Sequence, residues 1–188
     1  MPRRVSPSPS PRRFALAIAA CVGLSAATAH AQTPVELAAA KQWFKEGEQA
    51  EKKGDCATAI ERFEKAQTVK STPQIELRIG VCEEKLGLLT QALASYENAL
   101  DQAREGSLQR VVKVAEEQIR ALDLRLPRLS VDVRERYDSI VITLDGEPLS
   151  VGAGGAQRRI DPGAHVLAAE APGKKPFEVS FRVAEGEE

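Results

Sequence analysis

Aromatic side chains make up only 4% of the 188 residues, with one Trp, two Tyr and five Phe, and there are just two His, three Cys and one Met. Each scarcity removes a class of function. His30 falls in the N-terminal leader, so His165 is the one histidine left for general-base work. A Ser/His/Asp arrangement can be assembled only around it, and no nucleophile elbow accompanies it. A classical zinc site lacks ligands, because Cys56, Cys82 and His165 fall in what read as separate domains. No catalytic, cofactor or metal constellation emerges. Beyond residue 31 there is no block of five or more like charges, which leaves polybasic attachment to anionic lipid unsupported. No apolar run there approaches the roughly 18 residues of a membrane span.

What is present begins with MPRRVSPSPSPRR, four arginines and no acid, followed by the apolar stretch Phe14 to Ala29 and a small-x-small site ending at Ala31. That is the pattern of a secretory signal peptide over residues 1–31, cleaved after Ala31, and it implies a periplasmic or cell-envelope location. A second reading of the same stretch is a lipobox at Ile18 to Cys21, with acylation on Cys21. Cleavage removes four of the 26 basic residues and none of the 27 acidic ones, leaving a net charge near −5. A nucleic-acid partner is disfavoured by that sign.

From Thr33 to about Leu126 the chain is dense in Ala, Glu, Lys, Gln and Leu, and its only prolines are Pro34 and Pro73. Thr33, Pro34 and Glu36 form a helix start with a capping box, and Gly54 suits the end of that helix. A second helix is expected over Cys56 to Val69 and a third from Pro73 to near Gly87. A fourth should run from about Thr90 to Arg104, breaking at Gly106. A fifth carries Leu108, Val111, Val112, Ala115, Ile119 and Leu122 on one face. Adjacent acids such as Glu83-Glu84 and Glu116-Glu117 read as helix-surface charges.

Within this half KKGDCATAIERFEKA (52–66) is echoed 33 residues later by KLGLLTQALASYENA (85–99). Paired helices at this period resemble the tetratricopeptide repeat. The matching positions are Trp43, Gly47, Gly54, Ala59, Phe63 and Ala66 in one copy, and Ile79, Gly80, Gly87, Ala92, Tyr96 and Ala99 in the next. Glu46, Ala50, Glu76 and Glu83 depart from the pattern. The fifth helix then reads as a cap over the last apolar face.

After Pro127 the period changes from 3.6 to 2, with runs LSVDV, IVITL, HVLAAEA and FEVSF separated by the turn signals Asp145-Gly146, Asp161-Pro162-Gly163 and Pro172-Gly173. About five strands are expected, forming a small antiparallel β-sandwich over 127–188. The fold class is therefore α+β in two domains, with helical repeats over 33–126. Gly152 to Gly155 reads as a hairpin loop, since no helix or Lys-Ser/Thr follows it to make a phosphate loop. The turn set Asp145, Gly146, Pro162, Gly163, His165 and Gly173 resembles the PEGA domain, a small β module of bacterial envelope proteins.

The repeat resemblance implies more. It brings Cys56 and Cys82 into one neighbourhood, where a disulfide in an oxidising compartment and a pair of buried free thiols are both open. It also implies a groove lined by Lys41, Phe44, Lys45 and Glu48, joined by Gln74, Leu77, Arg78 and Val81, that fits an extended peptide or partner helix. The alternative is that Phe44, Leu77 and Val81 pack against the capping helix. The expected function is a non-enzymatic exported interaction or scaffold protein with a protein or peptide partner in the envelope, needing no cofactor. The competing expectation is a cell-wall or polysaccharide binder acting through the β half. Direct membrane contact is expected only with acylation at Cys21 or a membrane helix following Glu188, and the oligomeric state is left open.

Overall fold

The computed structural model describes residues 33–133, 139–152 and 155–187. The expected leader over 1–31 with Cys21, together with Tyr137, the centre of the Gly152 to Gly155 loop and Glu188, lies outside the described residues. Among the described residues five helices come first: α1 (Pro34–Lys52), α2 (Cys56–Val69), α3 (Pro73–Lys85), α4 (Leu89–Glu105) and α5 (Gln109–Asp123). Six short strands follow, again among the described residues: β1 (Arg128–Val131), β2 (Val141–Leu144), β3 (Glu147–Pro148), β4 (Ala156–Arg159), β5 (Gly163–Glu170) and β6 (Phe177–Val183). The architecture is α+β, helices then antiparallel sheet. No helix among the described residues is long and apolar enough to cross a membrane.

Local chemistry explains most helix ends. Thr33 accepts from the Glu36 amide at 3.2 Å while the Glu36 carboxylate accepts from the Thr33 amide at 2.7 Å, a reciprocal capping box. Asp55 caps α2 through the Thr58 amide, and Thr72 caps α3 ahead of Pro73. Three connectors close identically: the amides of Gly54, Gly87 and Ser107 reach back to Glu51, Glu84 and Arg104, and the next amides to Ala50, Glu83 and Ala103. The left-handed position is glycine twice, at φ +79 and +78, but in the third turn it is Ser107 at φ +55, and Gly106 stays right-handed. The helix ends at Gly106 as expected, but the left-handed residue of the turn is the next one, because the closing hydrogen bonds choose the position rather than the residue type.

The echo is a packing unit. Phe63 of α2 lies against Gly47 of α1, and Tyr96 of α4 lies against Gly80 of α3, both rings fully buried. Around Phe63 gather Ala50, Cys56, Ala59, Ala66, Ile75, Ile79 and Cys82. Around Tyr96 gather Leu89, Ala92, Leu93, Leu122 and Leu126, so α5 covers the second pair.

The β half comprises a four-stranded sheet in the order β3-β2-β5-β6 and a two-stranded ribbon, β1-β4. Ile142 and Leu144 of β2 are buried with Leu149 and Ile160. This half is fastened to the helices at several points. The Asp161 carboxylate accepts from the Thr90 amide at 2.7 Å and from the Thr90 hydroxyl at 3.0 Å, supplying the N-terminal cap that α4 lacks in its own Leu88. Arg125 grips Glu185 through Nε at 2.9 Å and Nη2 at 3.2 Å, and reaches Glu84 with Nη1. Asp123 meets Arg128 and Arg159.

Candidate functional site

The eight residues expected to line a groove divide into four groups. Lys41 and Phe44 of α1 and Gln74 of α3 edge a cavity of about 460 Å³. Arg78 is a strut instead. Its guanidinium pairs with Glu48 at 2.8 Å and Glu51 at 2.6 Å and lies 5.6 Å from the centre of the Phe44 ring, tying α3 to α1. Leu77 and Val81 pack on the cluster that includes Leu122 and Leu126 next to α5, and Lys45 is exposed. The groove is therefore half filled by the protein's own packing.

The cavity has further walls that the helix register alone did not indicate: Leu37, Lys70, Thr72 and Ile75. Lys70 and Thr72 belong to the α2–α3 connector, which returns the chain to the end of the hairpin where α1 begins. A signal for them existed in the connector's length, not in any periodicity. The floor is apolar, formed by Leu37, Ala40, Phe44, Ala66 and Ile75, and exposed Lys41 and Lys70 stand at the rim.

Cys56 and Cys82 are brought together as expected but are not bonded: both are buried free thiols. Burial first, and then the hydrogen bond and proximity to Cys56, push the Cys82 thiol up to about 12. The thiolate is the species that attacks in disulfide chemistry, so Cys82 is held in the unreactive form, and the two buried thiols pack as small apolar groups.

Glu83 also differs from its expected surface position. It is buried, accepting from the Ser95 hydroxyl at 2.6 Å, while Glu84 accepts from the Tyr96 hydroxyl at 3.0 Å. Glu76 is buried as well, held by the amides of Gln67 and Gln102. Burial raises both carboxyls, and each feels a second carboxylate, Glu83 acting on Glu76 and Glu64 on Glu83.

His165 sits between two acceptors, with Nδ1 2.7 Å from Asp145 Oδ2 and Nε2 2.7 Å from the Asp161 carbonyl. A carboxylate and a carbonyl can only accept, so the ring satisfies both as imidazolium, and no nitrogen remains to take a substrate proton. Burial works against that charge, but the bonds to Asp145 and Asp161 outweigh it and the histidine titrates above its ordinary range. Asp145 is held low, burial being overcome by His165 and by the Val166 amide at 2.8 Å.

These shifts give a pH dependence. A histidine raised above its unfolded value of 6.5 contributes fully below that value, and the contribution is lost as pH rises through the folded value. Glu76 and Glu83 act in the same sense: a raised carboxyl penalises the fold when ionised, and the penalty lifts as pH falls toward 4.5. Asp145 and Glu185, both lowered, withdraw support only below 3.8 and 4.5. The melting temperature should thus be a few degrees higher near pH 5.5 than near pH 8, and His165→Gln should remove part of that difference. Identical melting at the two values would contradict the assignment.

Compared with known proteins, the chain matches no protein-family model, no curated protein and no solved structure.

Proposed function

We propose that this chain is a non-enzymatic, exported interaction or scaffold protein of the tetratricopeptide-repeat kind, docking a protein or peptide of the cell envelope in the cavity between α1, α2 and α3. The β half, PEGA-like in its turns, serves as spacer or second binding element. The observation that carries this is the cavity of about 460 Å³, apolar within and rimmed by Lys41 and Lys70, neither of which has an ion-pair partner among the described residues. Such a site suits an apolar side chain flanked by acidic groups. The leader over 1–31 supports export, and the use of both His165 nitrogens in internal hydrogen bonds supports the absence of general-base chemistry.

The test is recovery of partners from envelope extract with the wild type and with Lys41→Glu/Lys70→Glu, whose exposed side chains can be reversed without disturbing the core. We expect recovery to fall about tenfold or more in the variant. Equal recovery from both would remove the cavity from the function. The competing wall-binding role has, among the described residues of the β half, Phe177 as its one exposed aromatic face. Co-sedimentation with purified cell wall separates the two.

A further inference from the structure

The outer strand of the four-stranded sheet, β6, is hydrogen-bonded to β5 and to no other strand among the described residues. Its seven residues, FEVSFRV, are largely exposed, with Phe177 54% and Val179 38% open to solvent. Register with β5 puts Phe177, Val179, Phe181 and Val183 on one face, opposite Ala169, Leu167, His165 and Gly163. Glu178, Ser180 and Arg182 occupy the other face, opposite Ala168, Val166 and Ala164. None of those three β5 residues can neutralise the two charges, and neither Glu178 nor Arg182 has an ion-pair partner among the described residues.

Exposed strand edges are templates for another strand, and proteins blunt them with charge, proline or a covering loop. Here Glu178 and Arg182 have opposite signs and stand symmetrically, two positions either side of Ser180. We propose that β6 is a self-pairing edge, joining antiparallel to β6 of a second copy about a two-fold axis at Ser180. In that register Glu178 faces Arg182 of the second copy, and Arg182 faces Glu178, so both charges are met twice over. On the opposite face Phe177 meets Val183 of the second copy, and Val179 meets Phe181, which are aromatic–β-branched pairs that sheets favour. A shift by two residues in either direction sets Glu178 or Arg182 against Ser180 and loses every opposite-charge pair. The strand is complementary to its own reverse in one register only, and this points to a second copy rather than to an unrelated partner. One short edge buries far less than the roughly 1,600 Å² of a standard interface, so the dimer is weak and reversible.

Sedimentation equilibrium of the protein over about 5 to about 500 μM reads this directly. The wild type should pass from monomer to dimer across that range. Arg182→Glu sets acid against acid at both symmetric pairs and should weaken the dimer about tenfold or more. The charge swap Glu178→Arg/Arg182→Glu recreates both pairs with signs exchanged and should restore dimerisation, which a variant that had merely misfolded would not do. Circular dichroism of each variant checks the fold. A wild type that stays monomeric throughout, an Arg182→Glu protein that dimerises like the wild type, or a folded swap variant that fails to recover would each overturn the assignment.

Discussion

Cutting Phe63 back to alanine is expected to unfold the first helical pair well before the rest of the chain. The ring is fully buried and packs on Gly47, and its centre lies 5.6 Å from that of Phe44. Removing a buried phenylalanine costs about 3–5 kcal/mol, the transfer of the ring plus the void it leaves. In a stack of helical pairs each unit is held by its own interior and by its neighbour, so a loss of this size at the end of the stack is felt there first. The chain carries its own reporter, because Trp43, its single tryptophan, sits in α1 against the same cluster. Urea unfolding followed by tryptophan fluorescence should therefore move to a much lower midpoint, while the helical signal splits into an early and a late phase. Tyr96→Ala, in the pair flanked by both α2 and α5, should instead lower the whole transition together. Coincident fluorescence and helical transitions in Phe63→Ala would show that the first pair is not a separable unit.

The legible parts of the fold were those whose causes lie within a few residues of one another. The Thr33/Glu36 box, Pro73 one residue inside α3, and the glycines closing α1 and α3 all act through the nearest turn of backbone, and the helices begin and end beside them. The Gly47–Phe63 and Gly80–Tyr96 contacts span 16 residues but are written twice, and repetition made them readable. What escaped detection depends on partners far along the chain. Adjacent acids cannot share a helix face, yet that rule does not say which of the two is buried; Ser95, twelve residues on, makes the inner position tolerable for Glu83. The cap on α4 comes from Asp161, 71 positions away, and no local pattern near Leu88 announces it. Pairing of β1 with β4 rather than with its neighbour in sequence is equally non-local. The cavity fell between these cases: its Lys41 and Phe44 wall was implied by the repeat resemblance, whereas its Lys70 and Thr72 wall comes from the path of a connector.

Alanine at Gly80 should destabilise the protein, although glycine to alanine inside a helix ordinarily gains about 1 kcal/mol. A methyl group there would lie 2.5 Å from Cε1 and 2.7 Å from Cδ1 of Tyr96, far inside contact distance. The ring has little room to yield, since it is fully buried and its hydroxyl is fixed on Glu84, which Arg125 holds from the other side. Overpacking of this kind costs about 1–3 kcal/mol, enough to reverse the sign of the helix-propensity gain. Gly47 makes the same contact with Phe63, at 2.6 and 2.7 Å, but that ring has no hydroxyl anchor and leans on Phe44, which borders the open cavity. The first pair can therefore shift toward empty space, and Gly47→Ala should cost less than Gly80→Ala. A double-mutant cycle isolates the cause: in a Tyr96→Leu background, where the clash is absent, Gly80→Ala should become neutral or favourable, a coupling of about 1–3 kcal/mol. Equal costs at the two glycines, or a Gly80→Ala penalty that persists in the Tyr96→Leu background, would mean that the rings do not set the spacing of the paired helices.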